Sequence, residues 1–158
     1  MSQTLTIEAI KAEPVRLAEH IARLEAQALA SKIHFPEALI DLRPGEHFAG
    51  LVIGKDGEPS HYLILLSGEA EDVTWKDAMA WADRQGGEYA ASLPARREQA
   101  LLYANLKEQF KPAWYWSGEQ HASGSGYAWS QYFDNGDQDH GSKSYQGRAR
   151  AVRRLIIE

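Results

Sequence analysis

Two aromatic runs, Trp114 to Ser117 and Tyr127 to Phe133, constrain this chain more than any other feature. Each is short, rich in rings that favour a pleated backbone, and bounded by turn formers, so both read as strands. A Ser/Gly loop separates them. A long polar loop follows, from Asp134 to Gln146, with Asn135-Gly136 and His140-Gly141 as turn signals. An Arg-rich strand, Arg148 to Ile157, then closes the sequence. Core-type residues in this stretch alternate with a dense set of Tyr, Asn, Ser and Gly. Tyr supplies contact area at low entropic cost, and Ser and Gly supply adaptable loops, a pattern that suits a scaffold carrying a recognition face.

The remainder of the chain predicts an α+β architecture. Ile7, Ile10, Pro14, Leu17, Ile21, Leu24 and Ala28 recur at alternating spacings of three and four, which is the a/d seam of an amphipathic or coiled-coil helix. Pro14 either starts the main helix or kinks a longer one. Two readings of residues 1–31 stay open: a helix packed on its own domain, or a segment through which the chain forms a homo-oligomer. Pro36, Pro44 and Gly45 mark a connector, and the globular domain is expected over 45–158. Phe48 to Ile53 and His61 to Leu66 predict a hairpin closed at Asp56-Gly57, with Leu63 to Leu66 buried on both faces. Thr74 is placed to cap a helix whose apolar side is Trp75, Ala78, Met79 and Ala82. Gly86-Gly87 ends it. A second helix is expected from Ala95 to Phe110, with Leu101, Leu102, Leu106 and Phe110 inward.

Composition removes several classes of function. The 158 residues contain no cysteine, which excludes disulfides, thiolate metal ligands and cysteine nucleophiles. A net charge of −5 argues against a general nucleic-acid binder. No apolar run approaches the roughly 20 residues of a membrane span, and the first residues lack the pattern of a secretory signal, so synthesis in a reducing cytoplasm is expected.

A series of motifs in order resembles the DUF1566 family: Val73-Thr74-Trp75-Lys76-Asp77-Ala78, Trp81-Ala82, Gly86-Gly87, Leu93-Pro94-Ala95-Arg96-Arg97-Glu98, Trp114-Tyr115-Trp116-Ser117, Ala128-Trp129 with Phe133 and Gly136, and Arg148-Ala149-Arg150-Ala151-Val152-Arg153. That family is similar to the C-type lectin fold of formylglycine-generating enzymes and of phage variable receptor-binding proteins. The resemblance covers about residues 45 to 155. It implies a mixed sheet with two helices and neighbouring termini, with Trp75, Leu93, Trp116, Trp129 and Val152 in the core. Trp116 and Trp129 have an alternative role as sugar-stacking platforms. The resemblance also implies a phage or prophage protein, associated with the virion, that binds a protein or glycan through Glu119, Gln120, His121, Tyr127, Gln131, Tyr132, Asn135, Asp137, Asp139, His140, Lys143 and Tyr145. The alternatives are a structural component of a virion and an intracellular modulator of a host factor.

The chain also departs from that group of folds. Formylglycine chemistry needs cysteines. The Glu-Pro-Asn, Gln-Pro-Asp and Trp-Asn-Asp motifs of calcium-dependent sugar binders do not occur. Asp134, Asp137 and Asp139 with Asn135 offer oxygen atoms, yet their spacing is not that of an EF-hand. No cofactor or metal is therefore expected. His121, His140 and Asp139 could move protons, but no nucleophile or oxyanion motif accompanies them, so the chain is read as non-enzymatic. The closing arginines are expected to pair with carboxylates, with Glu98, Asp77 or Asp83 as partners of Arg150 and Arg153.

Overall fold

The computed structural model describes residues 6–30 and 37–158. The chain divides into two compact units, residues 1–40 and 41–158. In the first, helix α1 runs from Ile7 to Ala30, straight through Pro14. The longer of the two helical alternatives is the one observed. The Thr6 hydroxyl accepts from the Ala9 N–H at 3.2 Å and caps its start. Ile7, Ile10, Leu17, Ile21 and Leu24 of the seam are all exposed.

The second unit is an α+β domain built on two sheets. The first contains β1 (His47–Val52), β2 (His61–Leu65), β9 (Val152–Ile156) and β4 (Ala91–Ser92), in the order β1-β2-β9-β4. The second contains β3 (Ala70–Val73), β8 (Gly147–Ala149), β5 (Trp114–Gln120), β6 (Tyr127–Tyr132) and β7 (Gln138–Ser142), in the order β3-β8-β5-β6-β7. Helices α2 (Trp75–Asp83) and α3 (Arg96–Leu106) complete it. The first and last strands both pair with β2, so the two ends of the domain are neighbours. This is the mixed-sheet, two-helix α+β arrangement that the sequence motifs implied, preceded by a helix.

Local chemistry explains most of these elements. Asp56 and Gly57 both take positive φ, 54° and 86°, and the Glu58 N–H closes on the Lys55 carbonyl at 3.0 Å. That is the backbone twist which a tight hairpin requires. Leu63, Ile64 and Leu65 are fully buried, as a strand covered on both faces should be. Thr74 caps α2 by accepting from the Asp77 N–H. Met79, expected on the buried side of that helix, is instead exposed, and Ala78 and Ala82 make the contact.

Two expectations are corrected. The polar loop after Phe133 holds strand β7, which pairs antiparallel with β6 from Tyr127↔Ser142 to Gln131↔Gln138. Its side chains, Gln-Asp-His-Gly-Ser, carry no strand signal; cross-strand pairing supplies the order. The Arg-rich segment is two strands. It breaks at Arg150-Ala151 and passes from the second sheet to the first.

The arginines hold these crossings, with partners other than those expected. Arg150 donates to the carbonyls of Gln109 and Leu66. Arg153 reaches Glu46 at 2.9 Å and the Asp41 carbonyl at 2.8 Å. Arg154, not Arg150 or Arg153, takes Glu98, at 2.7 Å to each carboxylate oxygen. Asp77 instead serves the cap of α2. The expected partners were close in sequence pattern, whereas the real ones are set by which sheet each half of the segment joins.

Burial would raise the pKa of Glu46, but hydrogen bonds from Arg153 and Arg43 outweigh it and hold the carboxyl down at about 2. A carboxylate with a depressed folded pKa stabilises the fold above its unfolded pKa, and that contribution is lost as pH falls through the folded one. Urea unfolding should therefore show stability declining from about pH 4.5 to pH 2. Glu46→Gln, which removes the charge that compensates buried Arg153, should cost about 3–5 kcal/mol at pH 7. It should also flatten the acid dependence.

Candidate functional site

Strand periodicity sorts the expected recognition residues onto opposite faces of the second sheet. Register places Trp114 opposite Tyr132, Trp116 opposite Ser130, and Ser130 opposite Asp139. These side chains share one face. Tyr115, Gln131 and Gln138 share the other, which meets α3.

The α3 face is tied by a glutamine relay. Gln99 donates to the Tyr115 carbonyl at 3.0 Å, and Gln131 donates to the Gln99 carbonyl at 2.9 Å. Gln138 then donates to the Gln131 side-chain oxygen at 2.8 Å and to the Arg96 carbonyl at 2.7 Å. Gln131 is 1% exposed. Its expected role as a surface ligand contact is corrected to that of an internal tie, because the pleat turns it toward α3. Trp129 lies half-buried beneath the Arg96 guanidinium, which sits 3.6 Å from the ring centroid. That ring face is already occupied, which removes it as a sugar platform.

The opposite face carries a hollow of about 420 Å³ lined by Trp114, Trp116, Ser130, Asp139, Tyr145 and Gly147, with β7 adding His140, Gly141 and Ser142. Trp116 is its floor. The indole is 2% exposed, and its N–H donates to the Val73 carbonyl at 3.0 Å. Tyr145 stands edge-on to it at 6.3 Å, and Trp114 leans on Tyr132 at 5.2 Å. Two glycines let the backbone pass close to the floor. A Cβ on Gly147 would come within 3.1 Å of Trp116 Nε1, and one on Gly141 within 3.7 Å of the ring.

Of the twelve residues expected to bind ligand, Asp139, His140 and Tyr145 line the hollow, and Tyr132 braces it. His121, Tyr127 and His140 gather around Trp129, with the two imidazole rings 4.6 Å apart. Asp139 lies 3.3 Å from His140 Nδ1. Glu119 accepts from the Arg96 N–H at the start of α3. Lys143 donates to Gln120 at 2.6 Å and lies over Trp75 at 4.4 Å. Asn135 and Asp137 bond to each other across their turn. Among the described residues, no three His, Asp or Glu side chains converge as a metal would need.

Trp114, Ser130, Ser142, Gly141 and Gly147 were not among the expected site residues. The signal for Trp114 was present, since period two puts it on the same face as Trp116. The signal for the glycines was not, because only the fold brings them over an indole.

No known family model matches the chain, and no curated protein sequence matches it. Similar solved structures include the C-type lectin CEL-I from Cucumaria echinata, at 12% identity and a TM-score of 0.41, covering 65% of this chain and 95% of that one. Botrocetin is similar at 13% identity and 0.44, covering 74% and 100%. The EPNH mutant of CEL-I is similar at 10% and 0.46, covering 75% and 100%. Identities this low and TM-scores below 0.5 transfer neither ligand nor site.

The glycine contact gives a direct check on the hollow. Gly147→Ala should press on the Trp116 indole and cost about 1–3 kcal/mol in urea unfolding, as overpacking does. The near-UV circular dichroism should change while the far-UV spectrum is kept.

Proposed function

We propose that this chain is a recognition module that binds a protein or a glycan and performs no chemistry of its own. One observation carries the reading: an aromatic-lined hollow opens on the face of the second sheet that carries Trp114 and Trp116. Pockets with apolar walls and a few placed polar groups are the usual sites of ligand capture. Here the walls come from strands β5 to β8, and the rim comes from the 134–146 segment. The exposed Tyr145 and Tyr127 suit a contact surface, since tyrosine supplies area with little rotamer entropy to lose. The phage or prophage setting, with association to a virion, rests on the sequence motifs alone.

The test is saturable binding of purified protein to intact bacterial cells and to a glycan array. Trp114→Ala combined with Tyr145→Ala should reduce binding at least tenfold while the far-UV spectrum is kept, as loss of aromatic anchors does at contact centres. Binding unchanged in that double variant would remove the hollow from recognition.

The exposed seam of α1 favours an assembled protein. The helix is 24 residues long, and most helical stability in proteins comes from covering an amphipathic face. Ile7, Ile10, Leu17, Ile21 and Leu24 form a self-complementary stripe. We propose that α1 joins copies of the chain, which would make the recognition face multivalent. Sedimentation equilibrium should give an oligomer for the full chain. Leu17→Glu combined with Ile21→Glu should give a folded monomer. A wild-type monomer across micromolar concentrations would end this reading.

A further inference from the structure

We propose that the hollow between Trp114, Trp116 and Tyr145 receives an organic cation, namely a guanidinium or ammonium group on a basic side chain of a protein partner. This rests on the recognition reading and narrows it to a ligand class. Three aromatic side chains line the hollow. The Trp116 N–H is already committed to the Val73 carbonyl, so this indole offers its ring and not a donor. Aromatic faces carry negative charge density, which attracts a cation held within about 6 Å of the ring centre.

The polar equipment of the hollow points the same way. Asp139 brings a carboxylate, whose Oδ1 accepts from the His140 N–H at 2.8 Å, and the lining contains one histidine, His140, and no lysine or arginine. Nearby cations are committed elsewhere. Lys143 is drawn to Gln120 and Trp75, and Arg148 bonds Glu69 and Glu71. An anionic ligand would meet no lysine or arginine on the wall. For a neutral polyol, the two serine hydroxyls are already engaged within the protein: Ser130 donates to the Asp139 carbonyl at 3.3 Å, and Ser142 bonds Ser144 at 2.8 Å. A cation needs only the rings and the carboxylate. The net charge of −5 would draw a basic partner in from a distance.

The experiment follows the Trp114 indole N–H by ¹⁵N-resolved NMR on the full chain, with the signal assigned through Trp114→Phe. The probes are choline, its neutral isostere 3,3-dimethylbutan-1-ol, N-acetyl-arginine amide and methyl glycosides, all at matched ionic strength. Choline and the arginine amide should give saturable shifts at Trp114, with the neutral isostere about tenfold weaker, the scale of a cation–π contact. Asp139→Asn should weaken both cations about fivefold to tenfold and leave the isostere unchanged.

Equal affinity of choline and its isostere would overturn the cation assignment, and so would silence of Trp114 to every probe. Shifts from glycosides but not cations would overturn it too, while leaving the recognition reading intact. Cation binding by a protein that fails on both cells and array would instead keep the cation site and remove the glycan and cell-surface reading.

Discussion

The N-terminus of α3 is tied to both sheets, and Glu98 is the group that ties it to the first. Its carboxylate is 2% exposed and makes four contacts with three partners: the Ala95 N–H at 2.8 Å, Nε and Nη2 of Arg154 from β9, and His61 Nε2 from β2 at 2.7 Å. Burial alone would raise its pKa, but Arg154, the Ala95 N–H and His61 outweigh burial and hold it ionised. A buried carboxylate is tolerated only when its lone pairs are filled this way. One side chain thus caps the start of the helix, neutralises an arginine and fixes α3 to the first sheet.

The glutamine relay extends the same helix to the second sheet. Gln99 is fully buried one residue after Glu98, and it links through Gln131 to Gln138 on β7. This relay explains how a strand with no apolar signal is ordered. It also determines which face of β5–β6–β7 is left open. With Gln131 and Gln138 pointing at α3, the pleat turns Trp114, Trp116, Ser130 and Asp139 the other way. The hollow is a consequence of the relay as much as of the residues that line it.

Recognition was expected along 119–146, and the structure divides that stretch in two. One group surrounds Trp129: His121, Tyr127 and His140, with Arg96 from α3 stacked on the ring. The other is the hollow, reached by Asp139 and Tyr145 and shared with His140. Successive strand residues point to opposite faces, so Asp139 stands across from Ser130 and His140 across from Trp129, and the two side chains meet at 3.3 Å where the sides adjoin. Linear proximity identified the neighbourhood and could not separate its two sides.

Much of the architecture was legible before the fold. Asp56-Gly57 specified a tight turn, Thr74 a helix cap, Leu63-Ile64-Leu65 a doubly covered strand, and the a/d spacing a leading helix, because each of these is a local preference of backbone or side chain. The tertiary structure alone decided the rest. It made β7 from a polar loop, split the Arg-rich segment between two sheets at Arg150-Ala151, and gave Arg153 to Glu46 and Arg154 to Glu98. It also laid Gly147 against Trp116, across 31 positions of chain. Those outcomes depend on contacts between residues far apart in sequence, where pairing, burial and charge are satisfied together, and no local pattern encodes which partner will be found.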